Sequence, residues 1–157
     1  MTTANLRQRL ADGAELKANN GSLTFAAGNS TWALAAAADS LDGIGGRFRE
    51  LRLSRTAGHA AQPLPVRAAA VAKRLTGLLE AVVLVEVDDP RQIAQLRSSE
   101  PTVTGPTRQY YDVAMTGDSD IAFHRTQYDS TTNKHEPVPF TLTYEVLGKL
   151  LGDLTAE

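Results

Sequence analysis

The residue types that could do chemistry in this chain are an acid and a base that hairpin pairing would bring together, Asp112 and His124. They flank the polar run Thr116-Gly117-Asp118-Ser119-Asp120. Setting Met115 opposite Ile121 places Val113 beside Phe123 on one face and Asp112 beside His124 on the other. A carboxylate there favours the charged imidazolium and can orient a base, with Arg125 next along the strand. The structural alternative is a cross-strand ion pair on a solvated sheet face. Ser119 adjoins the pair, but a serine hydrolase also needs a strained turn and an oxyanion hole, and no motif for either is present.

Other chemistries lack members. There is no cysteine, which removes thiolate metal sites, thiol nucleophiles and disulfides. His59 and His135 have no second histidine or carboxylate at ligand spacing, so no zinc site is expected. Asp88-Asp89-Pro90 reads as a solvated turn rather than a cation site. Asp42-Gly43-Ile44-Gly45-Gly46-Arg47 lacks both the dinucleotide spacing and the lysine ending of a phosphate loop. No motif implies a metal or cofactor.

Charge is unevenly spread. From Arg47 to Arg74 there are seven basic residues against Glu50 alone, a segment of +6 in a chain of net charge −2. Arg47, Arg49, Arg52 and Arg55 are therefore candidates for an anion or acidic-partner surface. Nucleic acid is not favoured, because the pI is about 5.9 and no aromatics interleave with these arginines. On a regular strand Arg52 would also point away from Arg49 and Arg55.

These groups need elements to hold them. The clearest helix is the last, where Leu142, Val146, Leu147, Leu150, Leu151 and Leu154 share one side, Thr141 or Thr143 can cap the start, and Glu145 occupies the first turn. Gly148 and Gly152 fall roughly opposite that stripe, offering a smooth groove to another helix. A middle helix is expected from Pro65 to about Glu80 with Val71, Leu75, Leu78 and Leu79 inward, and a short first helix over Ala4 to Leu10.

Strands are expected around the Asn20-Gly21 turn, with Asn19 opposite Ser22, Ala18 opposite Leu23 and Leu16 opposite Phe25. Thr31 to Ala36 reads as a strand, with a helix capped by Ser30 or Thr31 as the alternative. Gly43, Gly45 and Gly46 break regular structure before a strand from Arg49 to Arg55. Val82 to Val87, nearly continuous and β-branched, suits a strand covered on both faces at the centre of the sheet. Gln92 to Arg97 follows, then the hairpin of Tyr110 to Met115 and Ile121 to Tyr128.

The order helix, three strands, helix, two or more strands, helix, on a chain of 157 residues with an acidic pI, resembles the class I type III secretion chaperones and related bacterial chaperone-like domains. The stretch from Arg108-Gln109-Tyr110-Tyr111-Asp112-Val113 through Pro137-Val138-Pro139-Phe140-Thr141-Leu142-Thr143 looks like a family signature with no activity attached. The resemblance implies a small homodimeric protein that binds extended segments of partner proteins. It carries over no functional residue.

The expectation is one α+β domain over residues 1–157, a twisted, largely antiparallel sheet with helices packed on one face. No apolar run approaches the roughly 18 residues that span a bilayer, so a soluble, cytoplasmic protein is expected. The preferred function is protein binding without catalysis, by a homodimer that offers a sheet edge or helix groove. Tyr110, Tyr128, Gly148 and Gly152 are its candidate contacts. The alternatives are a ligand-binding or enzymatic face at Asp112 and His124, and an anion surface at Arg47 to Arg55.

Overall fold

Alternation of apolar and polar side chains, rather than residue propensity, decides the first described elements. The computed structural model describes the backbone of Lys17–Asn19 and Ser22–Gly28, and backbone and side chains of 31–156. The expected helix over Ala4 to Leu10 lies outside the described residues. Strands β1 (Lys17–Asn19) and β2 (Ser22–Gly28) pair with Asn19 opposite Ser22 and Ala18 opposite Leu23, the register read from Asn20-Gly21. The alanine-rich stretch is a strand, β3 (Trp32–Leu41), in which Trp32, Leu34, Ala36 and Ala38 are buried. Its period of two overrides the helix propensity of alanine.

Strand β4 (Gly45–Arg55) begins earlier than expected, so Gly45 and Gly46 are strand residues and not loop breakers. A Cβ on Gly45 would lie 2.3 Å from the Leu142 carbonyl oxygen and 2.8 Å from Thr143 Cα, so glycine there permits a close backbone approach. Phe48, Leu51 and Leu53 are all buried, a spacing that strict alternation forbids. Bulges resolve the conflict. Ala37 faces Glu50 while Ala38 faces Phe48, which leaves Arg49 extra on β4; Ser40 then faces Arg47, which leaves Asp39 extra on β3. The two bulged residues bond to each other, Arg49 Nε donating to Asp39 Oδ1 at 2.6 Å.

Helix α1 (Leu64–Arg74) starts at Pro63-Leu64-Pro65 and ends well before Glu80, with Leu75 as its C-cap. Leu64, Ala68 and Val71 are buried, but Leu79, expected inward, is fully exposed. The remaining strands are β5 (Val82–Asp88), β6 (Ile93–Ser98), β7 (Thr102–Thr104), β8 (Thr107–Thr116), β9 (Asp120–Asp129), β10 (Lys134–Val138) and β11 (Phe140–Thr143). Helix α2 (Tyr144–Thr155) closes the chain, its first turn capped by Thr143 Oγ1, which accepts from the Val146 amide at 3.2 Å. Leu142, expected on this helix, is buried from β11 instead.

The sheet runs β1-β2-β3-β4-β9-β8-β6-β5, all antiparallel, with β10 on β9, β11 on β4 and β7 on β8. Among the described residues strand β5 is thus an edge and not the centre. An apolar run reports burial, and here α1 supplies the cover on one side while Val83 and Val85 stay 43% and 52% exposed on the other. Both helices and the inward side chains of the sheet form one core. Tyr111 stacks on Phe123 at 5.4 Å, and Phe140 meets Phe123 edge-on at 5.4 Å. Such pairs add about 0.5–1.5 kcal/mol each beyond their area. No helix among the described residues is long and apolar enough to cross a membrane.

Because β4 and β11 meet backbone to backbone, Gly45→Ala is expected to cost about 1–3 kcal/mol, the usual range for over-filling a packed site. Gly43→Ala, with open space around its Cβ, should cost less than about 0.5 kcal/mol. Urea unfolding of the two variants checks the contrast.

Candidate binding surface on the open face of the sheet

Residues directly opposite each other in antiparallel strands share a face, so register alone assembles the surface away from the helices. Asp112 faces both His124 and Arg97 across β9 and β6; Tyr110 faces Thr126; Arg108 faces Tyr128, which in turn faces His135. The expected hairpin register holds, with Met115 opposite Ile121 and Val113 opposite Phe123.

Asp112 lies on the open face but is itself only 7% exposed, covered by its neighbours, and serves as a local hub. Gln95 Nε2 donates to Oδ1 at 3.2 Å and Thr126 Oγ1 to Oδ2 at 3.3 Å. Arg97 Nε lies 3.6 Å from Oδ1 and His124 Nε2 3.9 Å from Oδ2. The carboxylate is therefore engaged by several neighbours, and the histidine is the most distant of them. Arg125 is not part of this group. One residue along β9 from His124, it projects into the core face, as alternation requires.

There Arg125 Nη2 pairs with Glu80 Oε2 at 2.8 Å, both side chains about nine-tenths buried. Its Nε donates to Gln109 Oε1 at 3.3 Å and its guanidinium lies 4.3 Å from the Tyr111 ring centre. Burial raises the Tyr111 phenol above its ordinary value, with Arg125 opposing and Glu80 reinforcing the shift. Thr102 Oγ1 adds a bond to Glu80 at 3.2 Å, so the pair ties the loop after α1 to three strands.

The basic segment is held mostly by the chain itself. Arg47, Arg49 and Arg52 are all exposed, because the bulge at Arg49 resets the alternation that would have turned Arg52 away. Yet Arg47 and Arg49 face Asp39, and Arg52 Nη2 meets Glu50 at 3.1 Å. Arg55 stacks on Trp32 and donates to the Asp118 carbonyl at 2.7 Å. Arg67 donates twice to the Gly117 carbonyl, at 3.1 and 2.9 Å. Arg74 donates to the carbonyls of Asp153 and Ala156, where the negative end of α2 favours a cation. Gly148 and Gly152 do not form an exposed groove. Gly148 is buried beside Leu147 and Leu151, and only Gly152 is open, since the apolar side of α2 is wider than its leucines reveal.

What the open face does hold is a cleft of about 210 Å³ whose lining includes Arg97, Pro101, Arg108, Tyr110, Tyr128 and His135. Tyr110 is its nearly buried floor, with the Arg97 guanidinium 4.7 Å from the ring centre. Burial raises the Tyr110 phenol, with Arg97 opposing and Asp112 reinforcing. The Tyr128 hydroxyl donates to Asn133 Oδ1 at 2.6 Å, and its ring lies 4.7 Å from that of His135. The structure thus unites the two expected tyrosines and adds Arg97, Arg108 and His135, which sequence reasoning did not single out for this role. Extending the hairpin register outward by four positions would have placed Arg108 opposite Tyr128. Among the described residues no group of three or more histidines and carboxylates could hold a metal ion.

Comparison of the chain with protein-family models, with curated proteins and with solved structures finds no match.

Truncating one partner of a buried ion pair strands the other, at a cost of about 3–5 kcal/mol. Arg125→Met and Glu80→Ala are each expected in that range. The double variant should lose less than the sum, as a double-mutant cycle by urea unfolding will show. Asp118 is held below the ordinary carboxylate value, first by His59 and then by the Ala60 amide. Its contribution is full above about pH 4 and disappears as acid protonates it. The difference in Tm between wild type and Asp118→Ala should therefore shrink between about pH 7 and pH 3, as a thermal-melt series will test.

Proposed function

We propose that this chain is a non-enzymatic protein-binding domain, chaperone-like in that it receives an extended segment at a sheet edge. The observation that carries the reading is β5. Among the described residues it pairs with β6 alone, so its other edge offers unpaired backbone amides and carbonyls. Of the large apolar side chains left exposed, Leu79, Val83 and Val85 fall within one short stretch leading along that edge. An added strand would gain main-chain hydrogen bonds from β5 and apolar contact from these side chains. The helix-groove alternative loses support because Gly148 is buried.

The first occupant is a second copy of the chain, which makes the protein a homodimer. Val85 is the extra residue of a bulge against β6; antiparallel self-pairing about it sets Leu84 against Glu86 and Val83 against Val87, so no like charges face each other. A two-fold axis through one strand is the simplest closed interface. A cytoplasmic location belongs to the same proposal. The engagement of Asp112 by Gln95, Thr126 and Arg97 favours binding over catalysis at that face.

A lysine on an edge strand blocks strand addition without disturbing the fold behind it. Light scattering across a concentration series should show a dimer for the wild type and a monomer for Val85→Lys, with the far-UV circular dichroism unchanged. Hydrogen exchange should find the outward β5 amides protected only in the dimer. A wild type that stays monomeric with fast-exchanging β5 amides would remove the proposal.

A further inference from the structure

We infer that the cleft between β6, β8, β9 and β10 is a binding site for a small oxyanion carried on a single flat ring, an aromatic carboxylate or phosphate monoester. It lies on the open face, one strand in from the β5 edge, where Arg97 of β6 stands opposite Val83, and the inference does not rest on strand addition.

The lining is cationic. Arg97 and Arg108 supply the charge and no carboxylate lines the cleft. Unlike the arginines between Arg47 and Arg74, Arg108 has no acidic or carbonyl partner among the described residues, and it is exposed. Arg97 is set for use at its far end. The Asp112 carboxylate lies below it, 3.6 Å from Nε, as a charge partner without a hydrogen bond, and the Tyr110 ring lies against its plane. The Arg97 terminal nitrogens have no partner among the described residues. A guanidinium lying over a ring beside a carboxylate loses less rotamer freedom when it makes bidentate contact with a carboxylate or phosphate.

Apart from Ser98, whose hydroxyl accepts from the Tyr111 amide, the rest of the lining is made of flat rings. Tyr110 forms the floor, Pro101 one wall, and the adjoining Tyr128 and His135 rings another. With its hydroxyl committed to Asn133, Tyr128 offers a ring face more than a polar tip. Such walls suit a planar ring, which stacks on aromatic faces while its charged group meets the arginines. The volume, about 210 Å³, falls below the roughly 300–1,000 Å³ of pockets that take drug-sized ligands, which limits the occupant to one ring and its acid.

The probes are phenyl phosphate, benzoate, inorganic phosphate and benzyl alcohol, titrated into the full chain and followed by NMR at the Tyr110, Tyr128 and His135 resonances. Phenyl phosphate or benzoate should bind with Kd below about 1 mM. Inorganic phosphate should bind at least tenfold more weakly, and neutral benzyl alcohol should not bind. Arg108→Ala, which removes a side chain without a structural partner, should weaken phenyl phosphate at least tenfold with Tm unchanged. Arg97→Gln should weaken it further, and Tyr128→Phe should leave it intact because that hydroxyl faces Asn133. A capped phosphotyrosine peptide separates two sources of the ligand. Affinity equal to phenyl phosphate assigns a free small molecule, whereas a gain of tenfold or more assigns a modified side chain. No perturbation by either ring anion up to about 10 mM, or an affinity unmoved by Arg108→Ala, overturns the inference.

Discussion

Strand β4 is paired along both edges, and its geometry decides where everything else can sit. Phe48, Leu51 and Leu53 must all enter the core, and a regular strand cannot bury side chains both three and two residues apart. One extra residue on each of β4 and β3 removes the conflict, and the two extras, Arg49 and Asp39, neutralise each other. Beyond the bulge, β4 pairs with β9 through Leu51 to Ser54; before it, β4 pairs with β11 through Gly45 to Phe48. The hairpin carrying the open face and the strand leading into α2 thus take their register from one strand. Any slip in β4 would move the core and both of these neighbours together.

Electrostatics in this molecule mostly secure connections. The basic segment looked like a surface for anions, but Arg55, Arg67 and His59 hold the β8–β9 turn, and Arg74 covers the end of α2. Two acids on opposite faces do related work: Glu80 anchors a loop through Arg125, and Asp112 aligns Arg97, Gln95 and Thr126. Since groups so engaged keep little capacity for other partners, the arginines outside these networks are the informative ones. Arg108 is one, and it stands at the cleft.

The two proposed surfaces differ in kind. The β5 edge offers backbone groups and apolar side chains in a row, the chemistry of strand addition. The cleft offers fixed guanidinium groups over aromatic rings, the chemistry of a small anion. They meet at β6, where Arg97 lies opposite Val83 on the way from the edge to the cleft.

Local patterns determined much of the fold. The hairpin registers at Asn20-Gly21 and at the β8–β9 turn, the strand character of β3 and the cap at Thr143 all follow from neighbours in sequence. Alternation, turn residues and caps act over a few residues and need no distant partner. Tertiary packing alone decided the rest. The run Val82 to Val87 announces a buried strand but cannot say which face is covered, and α1 covers only one. Gly148 looks solvent-facing until the width of the packed side of α2 is known. The arginines read as free charge until Asp39, Glu50 and four carbonyls are folded against them. Arg97, Tyr110 and His135 come from three strands, and only sheet order sets them around one cleft. Burial, charge pairing and convergence depend on contacts between distant segments, which a linear pattern does not encode.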